Sequence, residues 1–177
     1  RFNKPVVGYA GQRAVIRRLS PGQTIGGAVF LDPMAKPTRS GDKNRLHVLQ
    51  TAKTGDVAET SRALADANGG LINLTALARL CRRTVADVSA ILDDTLFGID
   101  ADTACLLEDI DDCKRDILAA LAAYHAAHPL HRMAAQTALE ADVGPPKFLN
   151  HAITLLEKQG DIERQGHQLA LAGHDPV

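Results

Sequence analysis

The sequence predicts a mainly α-helical protein with small β segments, on the basis of three observations. The chain opens with two runs rich in β-branched residues, continues through a segment of Pro, Lys, Ser and Gly, and then shows helical spacing of apolar residues. Of its 177 residues 45% are apolar, a share typical of globular proteins. Because the chain has no Trp, two Tyr and four Phe, its cores must be built from aliphatic side chains, which suits small helical modules.

The first predicted element is a β-strand pair. Residues 14–18 and 24–31 are the β-branched runs, and the turn-forming Ser20-Pro21-Gly22 separates them. Residues 1–7 are predicted to add a third strand. Three strands neither close a barrel nor bury both faces, so residues 1–33 are interpreted as the C-terminal strands of a β-barrel that begins before this sequence.

A linker and a first set of helices follow. Residues 34–42 contain almost nothing to bury, which predicts a linker. Helical spacing begins near residue 45 and stops at Asn68-Gly69-Gly70. A short helix then carries Cys81 on its apolar face, and Thr84 is the predicted N-cap of a further helix whose apolar stripe is Val85, Val88, Ile91 and Leu92.

The C-terminal part predicts three more helices and a hairpin. A long helix is expected over residues 104–127, ended by His128-Pro129, followed by helices over 133–143 and 147–159. Alternating residues around Gln165-Gly166-His167 predict a β-hairpin. Helix, short helix, longer helix and hairpin in about 60 residues is the order of a winged helix-turn-helix module. We therefore predict two such modules in tandem, over residues 43–103 and 104–177.

Positive charge is concentrated near the N-terminus. Residues 1–47 carry nine Lys and Arg against two Asp, whereas residues 48–177 carry eleven Lys and Arg against nineteen Asp and Glu. A basic segment attracts phosphate and an acidic surface repels it. Any nucleic acid is thus expected to bind the N-terminal part.

Neither a membrane nor an oxidising compartment is indicated. The longest apolar-leaning stretch is too short to span a bilayer, and no secretory signal opens the chain. Cys81, Cys105 and Cys113 form an odd number with no CxxC pair, which argues against disulfides and zinc. A cytoplasmic location is expected.

One passage carries a specific resemblance. Arg17-Arg18-Leu19-Ser20-Pro21 is followed by Thr24-Ile25-Gly26-Gly27-Ala28-Val29 and then by Leu31-Asp32-Pro33. This resembles the end of the third domain in the family of selenocysteine-specific translation elongation factors, where a strand, R-x-x-S-P-x-x-T-I-G-G-G and V-L-D-P follow one another. Ala28 here replaces a glycine, and Gly11-Gln12 stands for the usual Gly-Asp. A weaker resemblance to that family's second winged helix runs from His128-Pro129 to His174.

The resemblance implies a function for the whole protein and a smaller role for this chain. Such factors resemble elongation factor Tu, with a GTPase domain and two β-barrels that bind aminoacyl-tRNA, plus an arm of winged helices whose last modules grip an mRNA hairpin. The implied partners are selenocysteyl-tRNA and the ribosome, with the mRNA hairpin bound by modules beyond this chain. The sequence has no G-x-x-x-x-G-K-[ST]. GTP and Mg²⁺ would therefore bind elsewhere, and this chain is expected to be a non-catalytic spacer arm without cofactor or metal.

The same resemblance suggests a tRNA contact. In elongation factor Tu the similar strand-loop-strand lies against the T-stem, which carries over to Arg17, Arg18, Ser20 and Gln23. Guanidinium and hydroxyl groups bind phosphate and ribose without reading bases. The alternative is that Arg17 and Arg18 are solvated strand charges, one on each face.

A double winged-helix DNA-binding regulator is the competing hypothesis. A recognition helix needs Arg, Lys, Asn or Gln, yet the helix after Thr84 offers Asp87, Asp93 and Asp94. The corresponding helix of the second module offers a faintly basic set that could be a secondary nucleic-acid contact. That set is Lys147, Asn150, His151 and Lys158. A purely structural spacer is the simpler alternative.

Two polar clusters are interpreted as non-functional. His125, His128 and His131 have three-residue spacing, but Pro129 interrupts the helix, so surface or capping roles are expected rather than a metal site. Acidic residues between Glu108 and Asp116 lack the glycine turn of a calcium loop and are expected to be solvated near a helix N-terminus.

Overall fold

A computed structural model describes residues 6–35, 37–39, 41–143 and 146–174. Over these residues the chain is mainly helical with small antiparallel sheets, which confirms the predicted balance of α and β. Its contacts divide it into two compact units. Unit 1 comprises Arg1–Asn68 and Ile72–Asp94, and unit 2 comprises Gly69–Leu71 and Thr95–Val177. The predicted division at residues 33, 42 and 103 stays a prediction.

Unit 1 begins with the predicted strand pair. Strand β1 (Arg13–Arg18) is antiparallel to β2 (Gln23–Val29). The register shifts after Ile16, which leaves Ile25 as the extra residue of a β-bulge. The pairing extends by one step, because the Phe30 N–H donates to the Gln12 carbonyl at 2.9 Å and the Gly11 N–H donates to the Phe30 carbonyl at 2.7 Å. Of the predicted third strand, residues 1–5 lie outside the described part, and residues 6–7 are not in a strand, so that prediction is wrong for the described residues.

The side chains of this strand pair are largely exposed. Val15 is 68% exposed, its neighbour Ile16 47%, and Ile25 on the facing strand 62%. Because successive residues of a strand point to opposite faces, Val15 and Ile16 show that both faces are open. Apolar strands normally bury at least one face. The exposed apolar side chains of this pair are therefore typical of a sheet that packs against a further layer.

The rest of unit 1 is helical. Its elements are α1 (Lys43–Thr54), α2 (Val57–Asn68), the short strand β3 (Ile72–Asn73), α3 (Leu74–Cys81) and α4 (Val85–Ile91). Thr84 caps α4 as predicted, in a capping box with Asp87. The predicted stripe of α4 is only half right, because Val88 and Leu92 are buried whereas Val85 and Ile91 are exposed.

Asp32 ties the end of the strand pair to this helical core. Its side chain is 5% exposed and accepts hydrogen bonds from Arg45 on α1, at 2.5 Å, and from Arg79 on α3, at 3.2 Å. Burial alone would raise the pKa of Asp32, but the hydrogen bonds from Arg45 and the Met34 N–H, together with the charge of Arg79, hold it below its usual range. The chain is thus anchored immediately before the predicted linker 34–42.

Unit 2 contains a hairpin, three helices and a small sheet. Its elements are β4 (Leu96–Gly98), β5 (Thr103–Leu106), α5 (Leu107–Ala127), β6 (Ala134–Ala135), α6 (Gln136–Val143), α7 (Leu149–Gln159), β7 (Ile162–Gln165) and β8 (Gln168–Leu171). The strand order of the sheet is β6-β8-β7. The predicted C-terminal hairpin is confirmed, with Gln165 opposite Gln168.

Three predicted helix starts in unit 2 were too early. Residues 104–106 belong to β5, where Leu106 pairs with Leu96, and the helix begins only at Leu107. The apolar run around Cys105 fits a buried strand and a helix equally well. Likewise α6 begins at Gln136 rather than residue 133, and α7 at Leu149 rather than residue 147.

One hydrophobic core holds unit 2 together. Phe148 and the apolar face of α7 pack with α5 and the sheet. The fully buried members include Ile110, Ile117, Leu121, Ile153, Leu156 and Leu169. Half-buried Phe97, Ile99 and Leu155 pack against this cluster from outside, so the β4–β5 hairpin is attached to the same core.

The same chain order of elements occurs twice. A helix, a two-residue strand, two helices and a hairpin follow one another from α2 to β5 and again from α5 to β8. The two-residue strands β3 and β6 were missed because a pair of residues carries no detectable periodicity. Among the described helices, none combines the length and apolar character needed to cross a lipid bilayer.

Candidate nucleic-acid interface

The structure brings the predicted tRNA-contact residues together at one end of the strand pair. Arg18 lies opposite Gln23 in the register, Arg17 lies opposite Thr24, and Ser20 is in the connecting turn. All of these side chains are exposed. The turn forms where Ser20-Pro21-Gly22 predicted it, because these residues favour tight turns over strands.

The two arginines are available to an external anion. Within the described part of the chain, neither Arg17 nor Arg18 makes an ion pair or a side-chain hydrogen bond. Consecutive strand residues point to opposite faces, so a ligand that contacts both must lie across the tip of the hairpin. Each guanidinium can bind one phosphate in bidentate fashion. The Ser20 hydroxyl and Gln23 amide can bond to ribose or phosphate oxygens, a set that grips a backbone without reading sequence.

The second predicted set is brought together only in part. Asn150, His151 and Lys158 line one side of a cleft of about 320 Å³ between β4 and α7, whereas Lys147 does not line it. Lys147 instead precedes α7, where its N–H donates to the Gly69 carbonyl at 3.4 Å. One face of α7 forms a side of the cleft. Three- and four-residue spacing aligns side chains on a helix, and this face carries Asn150, His151, Thr154, Leu155 and Lys158.

The predicted set omitted the apolar part of this cleft and the residue that supports Asn150. Phe97 and Leu155 form its apolar part. Gln136 lies behind it, where its Nε2 donates to Asn150 Oδ1 at 3.1 Å and to Glu140 Oε1 at 3.0 Å. Helical spacing places Leu155 on the predicted face of α7, but Phe97 is far away in the chain, and no sequence signal links it to α7.

Neither helix suits recognition of duplex DNA. In α4, Thr84 and Asp87 are used in the cap, and exposed Asp93 and Asp94 follow the helix. For α7, half-buried Phe97 from β4 lies beside the helix face that would have to enter the major groove. A recognition helix needs that face free and rich in hydrogen-bond donors.

A cluster of aromatic and imidazole rings follows α5. The Tyr124 hydroxyl lies 2.9 Å from His131 Nδ1, and the His128 and His131 rings stack at 5.1 Å. Buried His125 stacks on His174 at 3.7 Å. Burial, followed by the charge of His174, lowers the pKa of His125. In the ranges that the structure describes, no group of three or more His, Cys, Asp or Glu side chains is placed to hold a metal ion.

The cysteines and the acidic cluster have structural surroundings. Cys105 and Cys113 are buried, and burial raises the pKa of each thiol to about 11. Asp111 pairs with Lys114 at 2.8 Å and Asp112 pairs with Arg115, in the first turns of α5. Both carboxylates are more than half exposed, so these surface pairs add little stability.

Comparison with known proteins gives one informative similarity. No protein-family model matches the sequence. The chain is similar to a selenocysteine-specific elongation factor from Desulfomicrobium baculatum, with 28% identity over 191 aligned residues. The alignment covers 98% of this chain and 29% of that protein. The chain therefore spans less than a third of the length of the relative that it matches.

Proposed function

We propose that this chain is the tRNA-side and spacer part of a GTP-dependent elongation factor that delivers selenocysteyl-tRNA to the ribosome at a recoded stop codon. The similarity to the Desulfomicrobium baculatum protein supports a role in translation, and it extends over 98% of the chain. GTP and Mg²⁺ binding, and the grip on an mRNA hairpin, would belong to other parts of such a factor. This part acts in the cytoplasm by linking the tRNA-binding barrel to the mRNA-binding modules, and it has neither a catalytic role nor a cofactor.

The observation that carries the proposal is the exposed basic tip of the strand pair. Arg17 and Arg18 are free of partners among the described residues, and the tip stands at one end of β1 and β2. Phosphates of a tRNA stem are the ligands that such a tip suits. The open apolar faces around Val15 and Ile25 are where the remaining strands of a barrel would pack.

The helical part would serve as the spacer. The order of helix, short strand, two helices and hairpin, found from α2 to β5 and from α5 to β8, is that of winged helix-turn-helix modules and supports a tandem pair. Asp32 anchors the strand pair to α1 and α3. A pull on the tip by tRNA would therefore be transmitted to the helices of unit 1.

The test is tRNA binding by the full-length factor. Arg18→Ala and Arg17→Ala are each expected to weaken selenocysteyl-tRNA binding about tenfold, and to lower the slope of log Kd against log salt by about one, because each removes one phosphate contact. Arg13→Ala is the matched control, an exposed arginine at the other end of β1. Unchanged affinity and slope in both tip variants would remove the tip from the interface.

The competing regulator hypothesis has its own measurement. Gel-shift titration of this chain with duplex DNA should show no tight, sequence-selective complex. The reasons are that Asp87 is the charged residue of α4, and that Phe97 lies beside the face of α7 that carries Asn150 and Lys158. A selective complex at nanomolar concentration would favour the regulator and contradict the elongation-factor assignment.

A further inference from the structure

We propose that the cleft between β4 and α7 binds one unstacked nucleotide of single-stranded RNA. The proposal rests on the proposed function only for taking RNA as the source of the nucleotide. Its size is suitable, since about 320 Å³ falls at the lower end of volumes found for small-molecule sites. A cleft of this size can hold a single base and part of its ribose, whereas a duplex is too large for it.

The apolar part of the cleft suits a base. Phe97 from β4 and Leu155 from α7 line it, and both are half-buried. Both also pack against the core of unit 2, so the Phe97 ring is held in place and loses little freedom when a base stacks on it. Stacking on an aromatic side chain is the usual way in which proteins hold an unpaired base, and it tolerates every base.

The polar rim suits a phosphate and the edge of a base. Lys158 lies two helical turns beyond Asn150, with His151 beside them. Among the described residues, neither the Lys158 ammonium nor the His151 ring has a hydrogen-bond or ion-pair partner. A lysine beside a stacking platform can bind the adjoining phosphate, and an imidazole can bond to a ribose hydroxyl or a base edge.

Asn150 is oriented for base contact by residues behind it. The two N–H groups of Gln136 are both used, one toward Asn150 Oδ1 and one toward Glu140 Oε1. With its oxygen engaged, Asn150 has its Nδ2 donor without an acceptor among the described residues. Amide donors pair with the carbonyl and ring-nitrogen acceptors of bases. Gln136 is thus a positioning residue, and Asn150 the contact.

The first experiment uses this chain and ten-nucleotide RNA carrying one 2-aminopurine, whose fluorescence falls when it stacks on an aromatic ring. Binding should quench the probe, and Phe97→Leu should abolish quenching and raise Kd about tenfold, because stacking supplies much of the affinity. Leucine retains the apolar contact with the core, and an unchanged melting temperature would show that the variant is folded. Equal quenching by Phe97→Leu and wild type would overturn the proposal.

A second pair of variants tests the rim. Lys158→Ala should raise Kd about fivefold and reduce its salt dependence, whereas Lys147→Ala, outside the cleft, should stay within about twofold of wild type. Equal losses in both variants would mean diffuse attraction to α7 and would overturn the cleft. The outcome is separable from tRNA binding at the strand tip: if Arg18→Ala abolishes oligonucleotide binding while Phe97→Leu does not, the cleft fails and the proposed function stands.

Discussion

The imidazole rings of His125 and His174 stack with their centroids 3.7 Å apart. His125 is 5% exposed, its Nε2 faces the Leu171 N–H at 3.5 Å, and its Nδ1 has no partner among the described residues. The other groups facing it are the Tyr124 ring and the backbone of His131. Two imidazolium rings so close would repel each other, so burial and then the His174 charge lower the pKa of His125 and favour its neutral form.

This stack predicts a loss of stability in mild acid. Burial and then the His174 charge lower the pKa of His125, so below about pH 6.5 the unfolded chain binds more protons than the folded one. Stability is fully present above that pH and is lost as the pH falls further. Urea unfolding should therefore show a lower midpoint at pH 5.5 than at pH 7.5. His125→Phe should flatten this dependence, and His167→Ala, an exposed turn residue, should retain it.

Removing the charge of Asp32 should destabilise unit 1. Asp32→Asn weakens two charge-assisted hydrogen bonds, to Arg45 and Arg79, at a cost of about 2 kcal/mol after allowance for the partly exposed arginines. Thermal unfolding measures this, and proteolysis within residues 37–39 should become faster. Asp66→Asn, at an exposed site on α2, is the control. Equal melting temperatures of the two variants would contradict an anchoring role.

The close approach of Gly70 to Phe148 should make Gly70 intolerant of a side chain. Gly70 has a φ of 85°, and an added Cβ would lie 2.1 Å from Phe148 Cε1. Gly70→Ala should therefore cost unit 2 about 3 kcal/mol through overpacking and backbone strain. Gly98→Ala is the control, because no atom lies within 4 Å of its added Cβ. Chemical denaturation distinguishes them, and a neutral Gly70→Ala would refute the packing.

The buried thiols should be inert until the chain unfolds. The pKa of Cys105 and of Cys113 is raised to about 11 by burial, so at pH 8 only about one thiol in a thousand is the reactive thiolate. Cys81 is also buried, with its pKa raised. A thiol reagent such as Ellman's should label the native chain slowly and titrate all three cysteines in urea. Rapid labelling of the native chain would disagree with this burial.

Much of the local structure could be predicted. The strand pair around Ser20-Pro21-Gly22, the cap at Thr84 and the hairpin at Gly166 were all expected, because each depends on the backbone preferences of a few adjacent residues. The error at residues 104–106 has an equally local cause. A short apolar run suits a strand or a helix, and its pairing with Leu96 decides between them.

The two candidate sites also differ in whether their residues are close together in the sequence. The sequence by itself determined the basic tip, since Arg17, Arg18, Ser20 and Gln23 are neighbours across one tight turn. Only the tertiary structure decided the cleft, which separates Lys147 from Lys158 and adds Phe97 from a distant hairpin. It also decided that Asp32 meets Arg79. The physical reason is that turns and caps follow from short-range sterics, whereas contacts between distant residues depend on how whole apolar faces pack.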